Sequence, residues 1–211
     1  MKRVLTILLA ALGLNAAILY AVLWQGQVHL YEENELIENL QAVCYIGATF
    51  FTLWALLQLK GFERWLAGVF TFANVAFFLR EVDVAEMDIA PMVNFFFGGM
   101  SKDILMTLVF LALVARFAVA FRHHLREFWQ IVRSRISLLV IGGCLLLALG
   151  SFCEEVEMPF MEELAELNGA LLIMTAAFFY ALSPRELTAK VATHPGWSES
   201  RPVRVKPVTL S

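Results

Sequence analysis

The sequence predicts an all-α, polytopic membrane protein with six transmembrane helices in three hairpins and both termini cytoplasmic. Three observations lead there. The chain is 60% hydrophobic with a mean hydropathy of +0.70, against about 45–50% apolar residues in soluble domains. Apolar runs of membrane length recur between charged residues. Lysine and arginine are concentrated in alternate connections. Residues 1–183 form one membrane domain on this reading, and 184–211 form a cytoplasmic tail whose prolines and sparse apolar residues predict disorder.

A bilayer core takes about 20 helical residues, which sets the six spans near 4–24, 40–59, 65–84, 104–121, 136–153 and 163–182. The first follows Lys2 and Arg3 and is uncharged. It resembles a signal peptide, but it exceeds the usual apolar region of about 7–15 residues and has no A-x-A site. It is therefore expected to be retained as a helix. The second stops at Lys60. The fourth carries Arg116 near its end, and the fifth has Gly142 and Gly143 where a neighbouring helix can approach closely.

The third and sixth spans are different, because their purely apolar runs, Trp65–Leu79 and Leu167–Leu182, are too short. Reaching membrane length brings Arg80, Glu81 and Asp83 into one and Glu163 and Glu166 into the other. None of the six prolines falls inside a span, which gives no sign of the broken helices common in transporters.

Orientation follows from the basic residues of short loops. With the N-terminus inside, the inner segments hold 14 Lys and Arg against 4 acidic residues, and the outer segments hold 2 against 15. The inner side is thus +10 and the outer side −13, which returns the net −3. Trp24 and Tyr31 outside and Trp65 and Trp129 inside suit interfacial anchoring. This arrangement is that of a multi-pass protein of a bacterial inner membrane with acidic periplasmic loops.

Of the connections, the inner Phe121–Arg135 stretch reads as an extension of the fourth helix with positive-inside arginines, or as a segment lying on anionic lipid. The outer connections are acidic. In the first, Asn34 is suited to cap the second helix, and Glu35, Glu38 and Gln41 then share one face at its mouth. The second contains an apolar stretch, Ile89–Met100, too short to span and expected to dip into the interface or cover the bundle. In the third, Glu162, Glu163 and Glu166 project from the start of the last helix.

Arg80 is the most telling residue, since a charge within a span costs several kcal/mol on insertion scales, about 3, and usually faces the bundle with a partner. Glu38, Glu163 and Glu166 are the natural partners by depth, with Glu81 and Asp83 as helpers. Against this stands a simpler account, in which Arg80 snorkels to the surface or pairs for packing alone.

No cofactor is implied. Clustered carboxylates are suited to a divalent cation, with Glu38, Glu163 and Glu166 as ligands if one is bound, although no EF-hand spacing is present. Acidic outer loops also arise simply because positive residues are retained inside. Zinc and haem sites lack outer or intramembrane histidines, since only His29 is placed outside. The three cysteines form no CxxC pair and read as packing residues.

The Tyr31-Glu-Glu-Asn-Glu-Leu-Ile-Glu38 segment, with Leu79-Arg-Glu-Val-Asp83 and Glu154-Glu155, resembles uncharacterised bacterial multi-pass inner-membrane proteins. That resemblance implies a membrane fold and no activity. The first segment also resembles the acidic entry of ceramidase-type membrane hydrolases, whose zinc histidines this sequence does not have.

The expected function is therefore non-enzymatic: a membrane protein whose acidic outer cluster of Glu35, Glu38, Arg80, Glu81, Asp83, Glu163 and Glu166 binds a cation, a lipid head group or a partner protein. Two alternatives stand beside it. One is a metal-dependent membrane hydrolase or transferase using Glu38, Glu163 or Glu166 as base; the other is an accessory subunit of a larger membrane complex. Membrane lipids, and a protein partner within the membrane, are the expected company, and nothing points to nucleic acid.

Overall fold

A computed structural model describes residues 2–31, 36–82 and 99–182. Among them are six α-helices and no strand: α1 Lys2–Leu23, α2 Leu36–Gln58, α3 Gly61–Glu81, α4 Gly99–Val132, α5 Arg135–Glu155 and α6 Pro159–Leu182. A short 3-10 turn, Val28–Tyr31, precedes α2. Glu35, Asp83, the capping position Asn34, most of the Ile89–Met100 stretch and the tail 184–211 lie outside the described residues.

Four segments among the described residues are long and apolar enough to cross a membrane: Val28–Gln58, Gly61–Glu81, Ile136–Glu155 and Pro159–Leu182. The apolar parts of α1 and α4, Leu9–Leu23 and Ile104–Val119, are shorter. The distribution of side chains agrees with lipid as the solvent. On α2 the inward positions Gln41, Tyr45, Ala48, Thr52 and Ala55 follow helical spacing and are buried, whereas Val43, Ile46, Phe50, Leu53, Trp54 and Leu57 point outward and are exposed. Large apolar residues outside and small ones inside would be ruinous in water, but in lipid they let helices approach through their small faces.

Helix α6 is the centre of the bundle. It packs closely on α5 and α2, and α2 in turn packs on α3. Gly143 of α5 meets Gly169 of α6 so closely that a Cβ on Gly143 would lie 2.9 Å from the Gly169 carbonyl oxygen. The close approach expected of Gly142 and Gly143 is thus found, and Gly143 makes it. Cys44, Tyr45, Ala48, Leu147, Ala170, Ile173 and Ala177 form the core between these helices. Cys44 and Cys153 are buried, while Cys144 faces outward.

Three threonines of these helices bond within their own helix. Thr52, Thr71 and Thr175 donate to the carbonyls of Ala48, Ala67 and Leu171, each four residues back, at 2.9, 2.8 and 2.7 Å.

The connections fix the antiparallel arrangement. Lys60 is extended and Gly61 has φ of +61°, a turn that suits glycine and lets α3 follow α2 at once. As a result α3 starts four residues earlier than the expected span and ends at Glu81, with the Val82 amide donating to the Phe78 carbonyl at 3.1 Å. Ser134 caps α5 by accepting from the Ser137 amide at 3.2 Å. Between α5 and α6, Glu157 takes a positive φ of 57° while the Met158 amide donates to the Cys153 carbonyl at 2.9 Å, a left-handed helix stop. Pro159 then opens α6, where its missing N–H costs nothing.

Helix α4 stands apart. Its 34 residues measure about 51 Å, well beyond a bilayer core of about 30 Å, and it runs unbroken through the Phe121–Val132 region as an extension. Its contact with α3 is made at the two ends. Lys102 donates to the Leu79 carbonyl at 2.9 Å, and Phe117 stacks on Trp65 with centroids 5.3 Å apart. Trp65 stacks on both Phe62 and Phe117.

Candidate functional site

The two basic residues assigned to the outer side, Arg80 and Lys102, both sit at the C-terminal end of α3. Lys102 donates to the Leu79 carbonyl in the last turn of the helix. Arg80 lies in the last turn, where a cation is favoured by the helix dipole, and its side chain turns towards α6.

There Arg80 Nη2 donates to Glu166 Oε2, and Arg80 Nε lies 3.3 Å from Glu81 Oε1. The exposures are unequal: the Arg80 side chain is 49% exposed, Glu166 is 4% and Glu81 is 6%. A buried carboxylate is thus neutralised by a guanidinium that still reaches the surface. The simple snorkelling account of Arg80 does not describe this geometry, because the guanidinium is engaged across helices.

Glu166 has room because Gly150 of α5 lies against it. A Cβ at Gly150 would come 2.5 Å from Glu166 Cγ and 3.3 Å from the Glu162 carbonyl oxygen. Glu163, three residues earlier on the same helix, points elsewhere. Its Oε2 accepts from Gln41 Nε2 at 2.7 Å, and the same nitrogen lies 3.3 Å from the Glu163 carbonyl oxygen. Gln41 is fully buried, so this bond ties α2 to the start of α6.

Glu38, one turn before Gln41, is near enough for its charge to act on both Glu81 and Glu163. Tyr45, one turn after Gln41, is fully buried and lies within electrostatic range of Arg80, Glu81 and Glu166. Its ring stacks on Phe77 of α3 at 5.2 Å. Of the expected residues, Glu38, Arg80, Glu81, Glu163 and Glu166 are therefore brought together by α2, α3 and α6. Glu35 and Asp83 fall outside the described residues.

The network carries more acceptors than donors. Glu81 Oε1 is buried with no hydrogen bond despite its nearness to Arg80 Nε, and Gln41 Oε1 is buried and unpaired. Among the described residues no three His, Cys, Asp or Glu side chains form a group that could hold a metal ion, and Glu38, Glu163 and Glu166 do not converge into one.

Three amides in the spans were not singled out by a search for charges. Asn15 of α1 and Asn168 of α6 exchange two hydrogen bonds, 2.8 and 2.7 Å, while each also donates to its own helix, Asn15 to the Ala11 carbonyl and Asn168 to that of Leu164. Asn74, fully buried in α3, donates to the Phe70 carbonyl at 2.7 Å and leaves Oδ1 unpaired. An amide within an otherwise apolar run is the sequence sign that finds all three.

Comparison with protein-family models, with curated proteins and with solved structures finds no match.

Proposed function

We propose that the chain is a six-span protein of a bacterial inner membrane, with both termini cytoplasmic, that catalyses no reaction and uses the charged outer end of its bundle to bind a cation, a lipid head group or a partner protein. The observation that carries this reading is the Arg80–Glu166 pair between α3 and α6, set beside Glu81, Glu163 and Glu38 with surplus buried acceptors. Ionisable residues within a span are expensive to bury, pair with one another and are candidates for a functional site. The partition of charge between the two ends of the helices supports the sidedness.

Native mass spectrometry of the protein, extracted gently from its own membrane, tests the binding. The expected spectrum shows a stoichiometric small ligand, lipid or partner chain that is lost in Arg80→Ala and Glu166→Ala. A bare chain, or a ligand retained by both variants, overturns it.

The accessory-subunit reading is favoured by one specific feature. Helix α4 touches the rest of the bundle sparingly and presents Leu108, Phe110, Leu111 and Val114 outward, a face on which another membrane helix can pack. Reproducible co-purification of one partner, abolished by polar substitution of that face, distinguishes it.

A further inference from the structure

We propose that the seam between α2 and α3 holds one water molecule at mid-span, bridging the Thr49 hydroxyl of α2 and the Asn74 amide oxygen of α3. This hydration site is separate from the charged end of the bundle and does not depend on the binding role proposed for it.

The register of the two helices brings these residues to one level. Tyr45 of α2 stacks on Phe77 of α3 with centroids 5.2 Å apart. Further along, Ala55 of α2 and Ala67 of α3 share a buried cluster, and a Cβ on Gly68 would lie 3.5 Å from Leu56 Cδ1. Thr49 follows Tyr45 by four residues and precedes Leu56 by seven, so it stays on the face of α2 that meets α3. Asn74 precedes Phe77 by three residues and follows Ala67 by seven, which keeps it on the facing side of α3. An antiparallel pair steps up one helix as it steps down the other, so the Tyr45–Phe77 contact sets Asn74 opposite Ala48 and Thr49. Ala48 offers only a buried methyl group there.

The chemistry of the two groups is complementary. Asn74 is 0% exposed, and its Nδ2 donates to the Phe70 carbonyl at 2.7 Å, which fixes the amide and leaves Oδ1 a buried acceptor with no donor. The reverse orientation of the amide would set two oxygens against each other. Thr49 Oγ1 is also buried and makes no hydrogen bond, unlike the hydroxyls of Thr52, Thr71 and Thr175, which return to carbonyls of their own helices. Donor and acceptor thus sit at one level without bonding directly. Lipid offers neither of them a partner, and a buried polar group left unpaired is costly. A water accepts from the Thr49 O–H and donates to Asn74 Oδ1, and two polar partners suffice to hold a buried water. Neither residue is charged, so a neutral ligand is favoured over a metal cation, which needs several converging oxygens.

Two measurements on the full chain in nanodiscs provide the test. In NMR spectra of the wild type, a nuclear Overhauser contact is expected between water and the Asn74 side-chain amide protons, kept in Thr49→Ser and lost in Thr49→Val. Thermal unfolding supplies the second readout, because Thr49→Val removes the hydroxyl while nearly keeping the shape. With the water in place, Thr49→Val and Asn74→Leu each lower the unfolding temperature by about 2–4 °C, and the double variant falls by less than the sum. If the two atoms are instead unpaired, each substitution raises the temperature, since it deletes a buried polar atom that had no partner. A rise in either single variant, or strictly additive losses, overturns the bridge. Coupled losses with no water contact assign a direct Thr49–Asn74 hydrogen bond and overturn the water as well. The wild-type spectrum needs no variant and decides the matter if Asn74→Leu fails to fold: absence of the water contact overturns the site.

Discussion

Gly150 of α5 lies directly against Glu166 of α6, with the position of its missing Cβ only 2.5 Å from Glu166 Cγ. The atom that would be met is close to the backbone of α6, so it has little freedom to move aside. The glycine is thus what allows a charged side chain to lie at a tight helix crossing and reach Arg80. Two short-range facts, a glycine on one helix and a glutamate on the next, produce the ion pair with a third helix.

Gly150→Ala should therefore destabilise the protein even though alanine is the better helix former. Overpacking of this kind costs about 1–3 kcal/mol, or roughly 2–12 °C in unfolding temperature for a chain of this size. Gly142→Ala is the matched control, because its Cβ would lie 3.4 Å from Leu172 Cδ1, the far end of a flexible side chain. That change should be neutral or gain up to about 1 kcal/mol from helix propensity. Thermal unfolding of both in nanodiscs checks the pair; equal effects would show that the Gly150 crossing is not tight.

The Asn15–Asn168 amide pair ties α1 to α6, two helices that otherwise meet mainly through Ile18, Val22 and Leu167. Interhelical hydrogen bonds in membranes contribute about 0.6 kcal/mol on average and up to about 1.7. Asn15→Leu and Asn168→Leu should each cost an amount in that range. The double variant should cost less than their sum, because the second change removes an amide already left without its partner. Strict additivity in a double-mutant cycle would show the two amides to be independent.

Much of this was visible in the sequence, and the missing parts have physical causes. The apolar runs and the charges that end them gave the helices, because burial in lipid demands uninterrupted apolar length. The short third and sixth runs pointed to Arg80, Glu81, Glu163 and Glu166 at one end of the bundle. Which glutamate takes the arginine was not legible. Glu163 and Glu166 differ by only about 60° around the helix, yet one faces Gln41 of α2 and the other Arg80 of α3. That choice depends on the rotation of α6 against two neighbours, which no single segment encodes. Gly150 was equally silent, since its role exists only once α5 and α6 are in register.

Breaking the Arg80–Glu166 pair from either side should reveal that partnership. Arg80→Ala leaves the Glu166 carboxylate buried without its donor, a loss of about 3–5 kcal/mol for a fully buried pair. The arginine side chain is 49% exposed, so water screens part of the interaction and the expected cost falls to about 1–3 kcal/mol. Glu166→Gln removes the charge but keeps an acceptor facing Nη2, and should cost less than Arg80→Ala. Combined in Arg80→Met with Glu166→Gln, the two changes should recover part of the Arg80→Ala loss, because no buried carboxylate is then left unpaired at that position. Unfolding of the three variants and the wild type in nanodiscs measures the coupling. Simple addition of the single effects would mean that Arg80 is held by Glu81 and the surface, and that α3 and α6 are joined by packing alone.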